Sequence, residues 1–170
     1  MKKKQAAVGF DLGANLDIGI SPNANILIAQ GVSDHVSLYA QVNIPSFAAL
    51  LFMPEIGVLI GLLKENGPGF GLSITPKIHL VVSPFGVFVN PGMDLNLYWT
   101  QENGNYFYAG VNSYLKYYSY IGLIPHIGYT FTPKQMRIAL EMQVNVGVGP
   151  YGAVATGAAL YLSFTWLIQK

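Results

Sequence analysis

From Val8 to Ile20, "VGFDLGANLDIGI" places an apolar residue at every second position: Val8, Phe10, Leu12, Ala14, Leu16, Ile18 and Ile20. Gly9, Asp11, Gly13, Asn15, Asp17 and Gly19 stand between them. The alternation returns in "VSLYAQVNI" from Val36, in "MRIALEMQVNVGV" from Met136 and in "ALYLSFTWLI" from Ala159. Successive side chains of a strand point to opposite faces. Period two therefore predicts strands with one apolar face and one face of polar residues and glycines. No segment joins a helical period to helix caps.

The longest apolar run, "IPSFAALLFMPEIGVLIGLL" from Ile44 to Leu63, has the length of a membrane helix. Pro54 and Glu55 split it, and its second half alternates Gly57 and Gly61 against Ile56, Val58, Ile60 and Leu62. It reads as a strand preceded by an apolar loop or short helix.

Turn residues divide the chain into ten predicted strands: 7–20, 24–32, 35–45, 55–65, 69–82, 86–99, 105–117, 121–131, 135–149 and 157–169. Short polar turns at 33–34, 66–68, 100–104 and 132–134 alternate with a second set that holds the longer apolar pieces 46–54 and 150–156. That alternation predicts an antiparallel up-and-down barrel with both chain ends on the short-turn side. Pro76 and Pro91 fall inside predicted strands, where proline removes a ladder hydrogen bond. Bulges would accommodate them. If "ITPK" around Pro76 is instead a turn, the count becomes eight or twelve.

Strand length and composition choose the solvent. Strands of soluble proteins run to about 5–6 residues, and a membrane-crossing strand needs about 9–11. Several strands here reach the longer length. Of the 170 residues 52% are hydrophobic and 10% charged, against about 25% charged in ordinary soluble domains. An apolar face suits lipid, and closure satisfies every backbone group where lipid offers no partner. The expectation is an all-β, transmembrane β-barrel forming a single domain over 1–170, with 1–6 as a tail. A soluble lipocalin-like barrel around an apolar ligand is the alternative outside the membrane.

The net charge of +1 gives no field for nucleic acid, and the absence of cysteine excludes disulfides and thiolate metal sites. The lysines at 2, 3 and 4 form the one basic cluster. The stretch after them fails as the apolar core of a signal peptide, because Asp11 and Asp17 interrupt it.

The hairpins "GVSDHVSLYAQV" and "YTFTPKQMRIALEMQV" resemble those of bacterial outer-membrane β-barrel proteins, and the resemblance covers most of the chain. It implies a bacterial outer-membrane location, short turns and both termini on the periplasmic side, and the lipid bilayer as partner. Many such proteins end in an aromatic residue, whereas this chain ends Ile168-Gln169-Lys170. Trp99, Tyr117, Tyr118, Tyr120, Tyr129, Phe131 and Trp166 lie near strand ends, as interfacial girdles require.

The inward face is expected to hold Asp11, Asp17, Lys77, His79, Asp94, Lys116, His126, Arg137 and Glu141. Buried charges must pair. The reading is a polar, largely side-chain-filled lumen, with Arg137 and Glu141 meeting Asp11 or Asp17 across the seam where first and last strands join. It serves a narrow channel or a structural barrel, with loops 46–54 and 150–156 open to a protein partner. A lipid-modifying enzyme is the other alternative, with His79 or His126 as base and Ser73, Ser113 or Ser163 as nucleophile. No spacing ties these residues together. No metal site, cofactor motif or P-loop is present in the sequence, so neither a metal nor a cofactor is expected.

Overall fold

The computed structural model describes residues 5–15, 21–44, 53–63, 68–83, 86–116, 120–150 and 152–168. The chain forms ten strands: β1 (Ala6–Asn15), β2 (Ser21–Gly31), β3 (Val36–Ile44), β4 (Met53–Leu63), β5 (Gly69–Ser83), β6 (Gly86–Thr100), β7 (Tyr106–Lys116), β8 (Tyr120–Phe131), β9 (Met136–Gly149) and β10 (Gly152–Ile168). Each pairs antiparallel with the next, and β1 pairs with β10 to close the barrel. Closure removes the exposed edges that an open sheet would present. Ala6 lies opposite Ile168, so both ends of the strand set meet at the short-turn rim.

The ten predicted strands are all present, with two shifts at loops. β10 begins at Gly152, so most of the predicted loop 150–156 is strand. Gly152 has φ +116, a conformation open to glycine at this tight apex. Met53 and Pro54 already belong to β4, which shortens the predicted loop 46–54; residues 46–52 lie outside the described set, as do 16–20 of the first predicted strand.

Neither a bulge nor a turn accommodates Pro76 and Pro91. The β5–β6 register runs unbroken through both, from Gly69 opposite Thr100 to Ser83 opposite Gly86. Each proline turns its missing N–H toward a neighbour with which it forms no ladder pair. On its β4 side, Pro76 sits where pairing skips from Gly57–Lys77 to Ile60–Ile74. Pro91 lies just beyond the first β6–β7 pair, Gly92–Tyr114. Pro125 in β8 falls where the β8–β9 ladder skips from Leu123–Val146 to His126–Gln143. The chain keeps its register and forgoes only the hydrogen bonds proline cannot make.

The barrel is apolar outside and polar inside. Among the described residues, the buried apolar side chains are Ala7 and Ala159 alone, while Asn25, Ser37, Glu55, Ser73, Thr75, Lys77, Asn90 and Thr130 are buried. One outward row runs through consecutive register partners: Leu12, Leu162, Leu140, Tyr129, Phe107, Trp99 and Phe70. Strand tilt carries this row from mid-strand in β1 to the first turn of β5.

Its aromatic part lies at the short-turn rim. Phe107 and Tyr129 lie 4.4 Å apart with their rings tilted by 51°, and Phe131 meets Tyr129 edge-on at 4.6 Å. Phe10, Phe164 and Trp166 extend the band across β1 and β10. The Tyr129 hydroxyl donates to Gln101 and accepts from the Asn105 amide in the short turn, so its wet end is held by polar groups. Trp99, Tyr129, Phe131 and Trp166 thus lie together on the outward face near the short-turn rim. Tyr117 and Tyr118 lie outside the described residues.

Inward rows alternate large and small. Tyr39 faces Gly57, Tyr98 faces Gly71, Tyr108 faces Gly128 and Tyr114 faces Gly122. In all four pairs a Cβ on the glycine would overlap the tyrosine ring. Each ring therefore lies along the wall over a bare backbone rather than pointing at the axis.

Two outcomes follow. Leu140 is 57% exposed on the outward face; Leu140→Arg should lower unfolding free energy in lipid vesicles by about 2–4 kcal/mol relative to Leu140→Ala, the cost of a charge near the bilayer midplane. Gly128→Ala should cost about 1–3 kcal/mol, because the new methyl displaces the Tyr108 ring. Gly61→Ala is the control: its Cβ would meet nothing nearer than the His35 carbonyl at 3.7 Å, and its unfolding curve should overlay that of the parent.

Candidate functional site

The inward-facing polar residues of the middle of the barrel fall into three groups. The first sits on β3, β4 and β5. Register puts Glu55 between Gln41 and His79. Glu55 Oε1 accepts from the Tyr39 hydroxyl at 2.6 Å and from the Gln41 amide at 2.9 Å. Its Oε2 lies 3.5 Å from Lys77 Nζ and in direct contact with His79 Nε2. Glu55 and Lys77 are 2% and 5% exposed. A carboxylate so buried is stable only with its charge matched, and Lys77 and His79 stand against it here.

The second group occupies the wall formed by β9, β10, β1 and β2. Glu141 accepts from the Tyr108 hydroxyl at 2.6 Å and from the Gln143 amide. Asp11 accepts from the Asn25 amide at 3.3 Å and from the Ser163 hydroxyl. These donors are all neutral. The Tyr–Glu–Gln arrangement at Glu55 is repeated at Glu141 without the cations.

The third group lies on β6, β7 and β8. His126 Nε2 is 2.7 Å from Asn96 Oδ1 and 4.0 Å from Asp94 Oδ1. Gly110 stands between Asn96 and His126 in the register, and a Cβ there would collide with both side chains. The bare backbone of β7 thus lets residues of β6 and β8 reach each other.

The predicted pairing of Arg137 with Asp11 does not form. Arg137 is opposite Thr165 and its guanidinium lies over the Tyr106 ring, 5.9 Å from the centroid. Asp11 is opposite Ser163, two residues farther along and two strands from Arg137. Seam neighbours in sequence order are thereby out of reach of each other. Among the described residues no carboxylate pairs with Arg137, and its Nε has no hydrogen-bond partner. Asp17 and the side chain of Lys116 lie outside what is described.

Glu55 is the residue that sequence reasoning missed. Its signal was present: a lone carboxylate, one residue after a proline, in an apolar stretch whose other face must meet lipid.

The serines and histidines weighed for catalysis stand apart. His79 is engaged by Glu55 and His126 by Asn96. Ser163 bonds Asp11, and Ser113 turns outward to donate to the Met93 carbonyl at 3.0 Å. Ser73 is inward and buried. Among the described residues no serine hydroxyl bonds a histidine, and no three metal-ligating side chains converge.

No protein-family model matches the chain, and no curated protein matches it. Among solved structures it is similar to the KdgM porin, with 10% identity over 94% of this chain and 98% of that one, and a TM-score of 0.49. At that identity no residue of the porin can be carried across.

Proposed function

We propose that the chain is an integral outer-membrane β-barrel that acts as a narrow conduit for small polar solutes, with the short turns and both termini on the periplasmic side. The observation that carries this is the exposure of inward-facing charges at mid-strand. Asp94 is 20% and His79 15% exposed, although both face into a closed barrel, so solvent-sized space reaches them from within. Ten strands about 4.8 Å apart and tilted about 40° close at a radius of about 10 Å, wider than the side chains that line them. The wall-hugging tyrosines preserve that space.

The outward apolar face supports this reading over a soluble lipocalin-like barrel, which would turn its apolar face inward around a ligand. The absence of a serine–histidine hydrogen bond among the described residues favours a conduit over a hydrolase or acyltransferase. A structural barrel with a sealed lumen is the outcome that conduction measurements would reveal.

In planar bilayers the folded protein should give reproducible ohmic current steps. Asn112→Trp, inward at mid-strand, should cut the step size by more than half. Ala109→Trp, outward on the same strand, should leave it unchanged. Folded protein that inserts and carries no current would overturn the conduit.

A further inference from the structure

The conduit reading leaves open what passes, and the distribution of charge and hydrogen-bonding capacity on the inner wall bears on it. Resting on that reading, we infer that the lumen selects small cations over anions and that Glu141 and Asp11 set the preference.

The inward charges are unevenly compensated. Glu55 is matched by Lys77 and His79, and Asp94 has His126 at 4.0 Å. Glu141 and Asp11 are held by a tyrosine, a glutamine, an asparagine and a serine, which orient the carboxylates and bring no cation to them. Arg137 does not offset them. It sits four residues from Glu141 on the same face of β9, about 13 Å along an extended strand, with its guanidinium over Tyr106 at the short-turn rim. The wall of β9, β10, β1 and β2 is therefore negative at mid-barrel. Glu55 itself, on β4, is half a circuit from Glu141 on β9 and three strands from Asp11 on β1.

Hydrogen-bonding capacity points the same way through different atoms. Among the described residues, the buried side-chain oxygens without a hydrogen-bond donor are Asn25 Oδ1, Ser37 Oγ, Asn43 Oδ1, Glu55 Oε2, Asp94 Oδ1 and Asn112 Oδ1, all on the inward face. The Asn25 amide nitrogen is already given to Asp11, which fixes its oxygen as the free end. Arg137 Nε is the one free nitrogen comparable to them among the described residues, since His79 Nε2 is against Glu55. Oxygens outnumber nitrogens among these unpartnered groups, a balance that suits a cation better than an anion.

The test is the reversal potential of the full-length protein in planar bilayers under a KCl gradient. The parent should show potassium permeating severalfold faster than chloride. Glu141→Gln, which keeps the contact with Tyr108, combined with Asp11→Asn should bring the ratio close to unity. Should the pair of changes impair folding, Asp11→Asn alone should give a partial fall. Selectivity of the parent should also weaken from dilute to concentrated salt, because screening shortens from about 10 Å at 0.1 M to about 3 Å at 1 M. Current that is unselective or chloride-selective, or a ratio untouched by both substitutions, overturns the inference and leaves the conduit standing. Absence of current overturns both.

Discussion

The packing of tyrosine rings over cross-strand glycines is the constraint on which the interior depends. A barrel of this size has room for its side chains only if they are distributed, and the inner rows distribute them by setting a bulky residue beside a bare backbone. Tyr108 over Gly128 shows the consequence. The ring is pinned to the wall, its hydroxyl reaches Glu141 in the next strand, and the carboxylate is oriented without a cation. Tyr39 over Gly57 likewise orients Glu55, which Lys77 and His79 hold as well. Packing, polar satisfaction and the shape of the lumen thus follow from one pairing rule, repeated around the wall.

The outside obeys a separate rule. Every strand must present apolar groups outward while the chain turns nine times between its ten strands. Prolines are tolerated within strands because each falls where one ladder is already unpaired, so closure survives their missing donors. The aromatic band is gathered at the short-turn rim, where Tyr129 can hold polar turn residues while its ring remains against lipid.

Much of this was legible in the residue pattern. Alternation revealed strand number, order and facing because period two is a local property. Register is not local. Arg137 on β9 and Asp11 on β1 flank β10, and sequence order alone suggests contact; the stagger that closes the barrel puts Ala139, not Arg137, at the level of Asp11. The start of β10 was hidden for another reason. Gly152 to Thr156 carries small residues without alternation, and only pairing with β9 makes it strand. Glu55 was passed over because its neighbours dominate the hydropathy of the segment, although its isolation there was itself the clue.

The central claim is a water-reachable inside and a lipid-covered outside on the same strand. The chain contains no cysteine, so single cysteines can be introduced one at a time and labelled in intact vesicles with a small, charged, membrane-impermeant thiol reagent. Cysteines at Asn96, Asn112 and Gln143 should react readily, and those at Ala109, Val111 and Leu115 should stay protected. Equal reactivity at both sets, or reaction at the outward set alone, would contradict the account.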